Sequence, residues 1–228
     1  MYMKEDKEKK IGLFGGTFNP VHLGHLRAAE EIRETFGLNK IYFIPAFIPP
    51  HKNTTEIAPS NDRLKMLKLA IHGNPFFDLS DIELKREGKS YTVDTLRYFT
   101  SKFSDHSHYF IVGTDQYSEI ITWKDYKTLF KLSNLIVVER PGFNFDLSKL
   151  IPLELKDDFR YYKKNNNVTH YINERSLLLS LVKIEGLGIS STRIRRKIKN
   201  NKSLRYLVPT EVETYILSRG IYKKEKSQ

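Results

Sequence analysis

Residues Ile11 to His25 read Ile-Gly-Leu-Phe-Gly-Gly-Thr-Phe-Asn-Pro-Val-His-Leu-Gly-His. The stretch opens as a short apolar run after a charged leader and breaks at Gly15-Gly16. Asn19-Pro20 marks a turn. From Leu23 the period changes, with Leu26, Ala29, Ile32 and Phe36 recurring at helical steps and Gly37 as the stop. A strand therefore hands over to a helix, and two histidines sit at the handover. Backbone N–H groups at a helix start and the helix dipole both favour an anion there.

Outward from this stretch the pattern repeats. Ile41–Ile44 predicts a second strand, making a βαβ unit and a parallel sheet. Pro45 to Lys52 holds three prolines and cannot be regular structure. It leaves the carboxyl end of that strand, the edge where open α/β sheets bind ligands. Asn61-Asp62 opens a helix with Leu64, Leu67 and Ile71 on one face, closed by Gly73-Asn74-Pro75.

Phe77–Leu84 alternates in part and is expected to be extended. Ser90-Tyr91-Thr92 starts a helix with a Ser or Thr hydroxyl as N-cap, and Val93, Leu96, Phe99 and Phe103 form its buried side. Tyr109–Val112 reads as a strand ending in Gly113-Thr114-Asp115, followed by a helical stretch through Trp123 and Phe130 and a strand at Leu135–Val138. Arg140-Pro141-Gly142 ends that strand. The polar span 143–175, with Asn165-Asn166-Asn167, is expected to be helix and loop. Leu177–Ile184 is a further strand, Ser190-Ser191-Thr192 opens a basic helix to Lys199, and Val208–Leu217 is the last helix, stopped by Gly220. The alternation predicts an α/β protein with a doubly wound parallel sheet and a small C-terminal helical part. Residues 1–10 are expected to be a flexible leader, 11–222 one domain, and 223–228 a charged tail.

With 228 residues, 14 Phe and 13 Tyr, the chain can build a sizeable core. It has no apolar run long enough for a transmembrane helix and no apolar segment of the secretory kind, so a cytoplasmic location without membrane contact is expected. The absence of Cys rules out disulfides and thiolate zinc sites. The net charge of +11 points to an anionic partner, although scattered lysines are as well explained by a solvated surface.

The chemistry-bearing residues fall into two groups. Gly15-Gly16 lets backbone approach a ligand. His22 and His25, three apart across a helix start, can face one point and donate to a phosphate. A metal reading lacks a third ligand, since neither Cys nor a His-Glu-x-x-His pattern is present. Ser190-Ser191-Thr192 before Arg193 and Arg195 makes a second anion site by the same logic. Two such helix starts in one sheet protein suggest a polyphosphate between them. Trp123 either packs in the core or stacks on a flat heterocycle, and Asp115 is either an exposed loop acid or a partner for ribose hydroxyls.

Gly15 to His25 resembles the first motif of nucleotidyltransferases of the His-x-Gly-His class, and Ile189-Ser190-Ser191-Thr192-Arg193-Ile194-Arg195 resembles their second. Pro49-Pro50-His51-Lys52, Ser90-Tyr91-Thr92, Gly113-Thr114-Asp115, Trp123, Arg140-Pro141-Gly142, Tyr206-Leu207-Val208-Pro209 and Gly220-Ile221-Tyr222 narrow the match. Together they are similar to the bacterial nicotinate mononucleotide adenylyltransferases, with Asn19 where that family usually has Asp.

The resemblance implies a Rossmann-like nucleotidyltransferase fold and adenylyl transfer from ATP to nicotinate mononucleotide in NAD biosynthesis, by direct in-line attack. It implies His22, His25 and Arg195 as catalytic residues. It places Gly15, Gly16, Thr17, Phe18, Gly113, Ile189, Ser190, Ser191 and Arg195 around ATP. Lys52, Thr92, Asp115, Trp123 and Arg140 would meet nicotinate mononucleotide, with Trp123 on the pyridine ring and backbone near Thr92 on the carboxylate. Mg²⁺ would ride on the ATP phosphates with no dedicated protein metal site. Nucleic acid is not an expected partner, and the oligomeric state stays open with a homodimer among the options. An adenylyltransferase acting on phosphopantetheine is the nearest alternative but leaves Trp123 and Pro-Pro-His-Lys unexplained. An RNA-binding module, suggested by charge alone, lacks any RRM, KH or zinc-finger motif.

Overall fold

The computed structural model describes residues 9–48, 57–139 and 150–223. Eight strands form one sheet in the order β3-β2-β1-β4-β5-β8-β7-β6. The parallel part comprises β1 (Lys9–Gly16), β2 (Lys40–Pro45), β3 (Phe77–Leu79), β4 (His106–Gly113), β5 (Asn134–Glu139) and β8 (Leu178–Lys183). An antiparallel extension, β6 (Phe159–Asn165) and β7 (Val168–Asn173), completes it beside β8.

Alternate residues of each central strand feed two separate cores, as expected for a sheet covered on both faces. In β4, Tyr109 and Ile111 point to one core, while Phe110 and Val112 point to the other. The first core receives α1 (Leu23–Phe36), α2 (Ser60–Ile71), α7 (Ser191–Lys199) and α8 (Thr210–Arg219) through residues such as Ile32, Leu67, Ile194 and Ile216. The second receives α4 (Thr92–Lys102), α5 (Thr114–Tyr117) and α6 (Tyr126–Leu132) through Leu96, Tyr117 and Leu129. The sheet is thus doubly wound. Its switch point lies between β1 and β4, where the carboxyl ends Gly15-Gly16 and Gly113 open a crevice.

Five expectations are corrected. Lys9 and Lys10 belong to β1, paired with His106 and Ser107, so a leader reaching residue 10 is too long. Phe77–Leu84 is not one extended segment: β3 stops at Leu79, and α3 (Ile82–Arg86) begins behind Asp81. An Asp81–Lys85 ion pair at 3.0 Å and i,i+4 spacing supports that helical turn. No hydroxyl caps α4; Tyr91 is the N-cap residue, and Ser90 Oγ instead accepts from Phe47 N–H at 2.8 Å. The expected single helical stretch after Gly113 is α5, a 3-10 turn (Ile120–Thr122) and α6, separated by extended Trp123 and left-handed Asp125.

The fifth correction is the largest. Residues 153–173 form a 3-10 segment (Leu153–Asp158) and the β6–β7 hairpin, turning at Asn166. Only Phe159 of β6 is buried, so both faces are polar and no period of two can be read. Pairing with β7, whose Val168 and His170 are buried, makes it a strand. Among the described residues no helix is long and apolar enough to cross a membrane.

Candidate active site

His22 is the N-cap of α1, in extended backbone, and is almost wholly buried. Its N–H donates to His25 Nδ1 at 3.3 Å, and the two rings stack with centroids 3.6 Å apart and planes at 21°. The three-residue spacing therefore brings both imidazoles to one point. Phe18 packs edge-on to His25 (5.2 Å between centroids) and to Phe14 (5.7 Å). With 3% exposure, the Phe18 side chain is a prop for His25 in the core, and only its backbone is left for a ligand. A Cβ on Gly16 would lie 3.0 Å from the Phe18 ring, whereas one on Gly15 would meet nothing nearer than 3.8 Å. Gly16 thus answers an internal packing demand, and Gly15 is the glycine past which a ligand has room.

The expected free amides of α1 are partly taken. Leu23 N–H donates to Leu207 O at 3.0 Å, tying the helix start to the Tyr-Leu-Val-Pro segment. At Gly24 a Cβ would lie 3.1 Å from both Leu187 O and His22 Nδ1, so the close approach of the segment leading to α7 requires glycine.

That approach brings the second helix start to the first. Ser190 Oγ caps α7 by accepting from Arg193 N–H. Ser191 Oγ donates to Pro20 O at 2.8 Å, and Arg195 Nη1 donates to Asn19 O at 3.0 Å. Residues 171 or more positions apart in sequence thus place two histidines, two serines and an arginine around one loop. Ile189 enters this junction half-buried, packed against the first core.

On the other side of Gly15–Thr17 lies a cavity of about 350 Å³. It gathers Gly15, Gly16 and Thr17 from the end of β1 with Thr92, Asp115 and Trp123. Glu83, Ser90, Tyr91, Gln116, Glu119 and Lys124 complete its polar lining. Trp123 is half-buried, forms a T-shaped pair with Phe110 at 6.2 Å and lines the cavity. Burial pushes the Glu83 carboxyl above the usual range, although it accepts from Thr95 Oγ1 at 2.6 Å. Gly113, His22, His25, Ser190, Ser191 and Arg195 do not line this cavity; Thr17 and its neighbours join it to their junction.

Residues 13–197 match the cytidylyltransferase-like family. Relatives named "Probable nicotinate-nucleotide adenylyltransferase" include one from Geotalea uraniireducens, 42% identical over 93% of this chain and 98% of its own. Another, from Syntrophotalea carbinolica, is 41% identical over 95% and 99%. The chain belongs to the cytidylyltransferase-like family, in its nicotinate-nucleotide adenylyltransferase branch. Its fold is also that of the Plasmodium falciparum nicotinic acid mononucleotide adenylyltransferase complexed with NaAD, with a TM-score of 0.71, 21% identity, and coverage of 94% of this chain and 98% of that one.

Within this family the departure at Asn19 has a structural reading. Asn19 Oδ1 accepts from Ala58 N–H at 3.0 Å and from the Tyr222 hydroxyl at 2.8 Å. Both contacts need only an acceptor oxygen, which Asn supplies as Asp would.

Two residues at or beside the candidate site escaped the sequence reading. Arg63, 1% exposed, donates to Ala58 O (3.0 Å), Thr17 O (2.9 Å) and Phe47 O (3.1 Å). It holds the end of the first motif against the segment that follows β2. It sits four before Leu67 on the buried face of α2, a phase that the 64-67-71 reading missed. Glu83 was hidden by the extended reading of 77–84. Lys52 and Arg140 lie outside the described residues, as do Pro49-Pro50-His51 and Pro141-Gly142.

Proposed function

We propose that this protein transfers the adenylyl group of ATP to nicotinate mononucleotide, giving nicotinate adenine dinucleotide and pyrophosphate. The observation that carries the reading is the docking of α7 on the first motif through Ser191–Pro20 and Arg195–Asn19, beside a cavity that holds Thr92, Asp115 and Trp123. One half suits a polyphosphate and the other a flat heterocycle with a sugar. The names of the relatives agree with this division of labour.

ATP lies with its phosphates between the starts of α1 and α7. Gly15 and Gly113 let backbone approach the nucleotide, and Ser190, Ser191 and Arg195 hold the β and γ phosphates. In the cavity Trp123 stacks on the pyridine ring, backbone near Thr92 receives the nicotinate carboxylate, and Asp115 meets ribose hydroxyls. A phosphate oxygen of nicotinate mononucleotide attacks the α-phosphorus in line, forming the new P–O bond as the bond to pyrophosphate breaks. No covalent enzyme intermediate is needed, and catalysis rests on positioning and on neutralising charge.

His22 and His25 donate to the α-phosphoryl and leaving group as charge builds. The packing of Phe18 on His25 and the stacking of the two rings hold that geometry before substrate arrives. Mg²⁺ carried by the ATP phosphates would add positive charge there, alongside His22, His25 and Arg195.

The test is pyrophosphate release from ATP, nicotinate mononucleotide and Mg²⁺. Folded protein that releases none refutes the assignment. His25→Ala is expected to lower kcat by roughly 100-fold or more, as loss of a transition-state donor should. A kcat near wild type removes His25 from the mechanism.

A further inference from the structure

The acceptor named above is an anion at both ends, yet the cavity assigned to it is lined by three carboxyl side chains. Among the described residues lining the cavity, Lys124 carries the one positive side chain, against Glu83, Asp115 and Glu119. Its ammonium lies 4.7 Å from the centroid of the Tyr91 ring and 3.3 Å from Asp94 Oδ2. Tyr91 is the N-cap residue of α4, and Thr92 its first residue. The lysine thus stands beside the helix start where the pyridine substituent is received.

We infer that Lys124 is the specificity-determining cation of the acceptor site, selecting the carboxylate of a nicotinate nucleotide over the carboxamide of a nicotinamide nucleotide. This deepens the acceptor reading of the cavity and rests on it. Gly15–Thr17 continues into the phosphate motif, so the phosphate of the mononucleotide points that way and its ring substituent points to the Trp123–Lys124 end. A helix start attracts any partial negative charge, a carboxamide oxygen included. A full positive charge beside it separates the two substituents, because only the carboxylate gains a charge-assisted bond.

The resting partner of Lys124 makes the exchange cheap. Asp94 also pairs with Arg97 through Oδ1 at 3.5 Å, and Arg97 reaches Asp125 at 3.5 Å. When the ammonium turns to a substrate carboxylate, Asp94 keeps a cation. At rest the ammonium also lies over the Tyr91 ring, a cation–π contact that keeps it beside the start of α4.

The experiment compares wild type with Lys124→Met, Lys124→Arg and Lys127→Ala. Equilibrium binding of nicotinate mononucleotide and nicotinamide mononucleotide is measured by calorimetry, and kcat/KM by pyrophosphate release. Lys124 is exposed, so its variants should fold, and both acceptors carry the same phosphate. Lys124→Met is expected to lower the nicotinate-over-nicotinamide ratio by roughly 10-fold, mainly through weaker nicotinate binding. Lys124→Arg should keep most of the ratio. Lys127→Ala, which removes an exposed cation nearby but outside the cavity, should leave it unchanged. If wild type prefers nicotinate and Lys124→Met keeps that preference, the inference is overturned while the acceptor reading stands. If wild type binds and turns over neither mononucleotide, the acceptor reading falls, and the inference with it.

Discussion

Replacing Arg63 by Met tests whether a buried arginine holds the active-site wall. The guanidinium makes three charge-assisted bonds to carbonyls, at 2.9 to 3.1 Å, from segments 17, 47 and 58. Hydrogen bonds to a charged group are worth about 1.5–3 kcal/mol each. Burying the charge offsets part of that, and the same desolvation lowers the Arg63 pKa. Met fills much of the volume but leaves three inward carbonyls without this donor, so a net loss of about 4 kcal/mol is expected. For 228 residues the unfolding entropy near the midpoint is about 0.48 kcal/mol/K, so Tm should fall by roughly 8 °C.

The same change removes the Arg63 bond to the Thr17 carbonyl, at the junction of the proposed ATP and acceptor halves. KM for both substrates should therefore rise several-fold in protein that is still folded. Calorimetric unfolding and initial rates of pyrophosphate release measure the two effects. A Tm within about 2 °C of wild type with unchanged KM values would refute the reasoning. Arg63→Lys sharpens the test, because it keeps the charge but loses the planar fork. It should recover less than half of the lost stability; full recovery would mean that charge, not geometry, is what the site needs.

Three further outcomes are expected. Trp123→Ala should raise KM for nicotinate mononucleotide by roughly 10-fold, from loss of about 1–3 kcal/mol of stacking, with KM for ATP little changed; equal effects on both would place the ring elsewhere. His170 is buried against Ser180 Oγ at 2.8 Å, and burial lowers its pKa. As pH falls through about 6.5 the unfolded chain takes up a proton that the folded His170 does not, so stability is lost toward acid, and His170→Gln should show a smaller fall in Tm between pH 7.5 and 5 than wild type; parallel falls would exclude this histidine. Glu83 has the opposite sign: its raised pKa means that stability is lost as pH rises through the folded value, so Glu83→Gln should be relatively most stable at neutral pH and lose that advantage toward pH 4.5, as measured by Tm across that range.

The sequence alone determined the elements whose signals are local. Ile11–His25 carries a buried strand, a glycine break and a 3.6-residue period, and α1 runs from Leu23 to Phe36 as that period predicts. The capped start of α7 at Ser190 and the left-handed glycine stops at Gly37 and Gly220 follow the same rule, since backbone preference and capping act within a few residues. The β6–β7 hairpin was not legible, because an edge strand exposed on both faces has no hydrophobic alternation and exists only through its neighbour. Glu83 was lost for the same reason, on a five-residue helix too short to show a period.

What only the tertiary structure decided is which distant groups meet. Ser191 on Pro20, Arg195 on Asn19 and Tyr222 on Asn19 join positions separated by 171 to 203 residues. No local propensity encodes such contacts; they arise when α1, α7 and α8 bury their apolar faces on one side of the sheet. The structure likewise split the sequence motif by role, turning the Phe18 side chain inward as support and leaving Gly15, Gly16 and Thr17 at the cavity. It made Arg63, an ordinary surface residue by composition, the buried pin of the site, because the three carbonyls it satisfies come together only when the chain is folded.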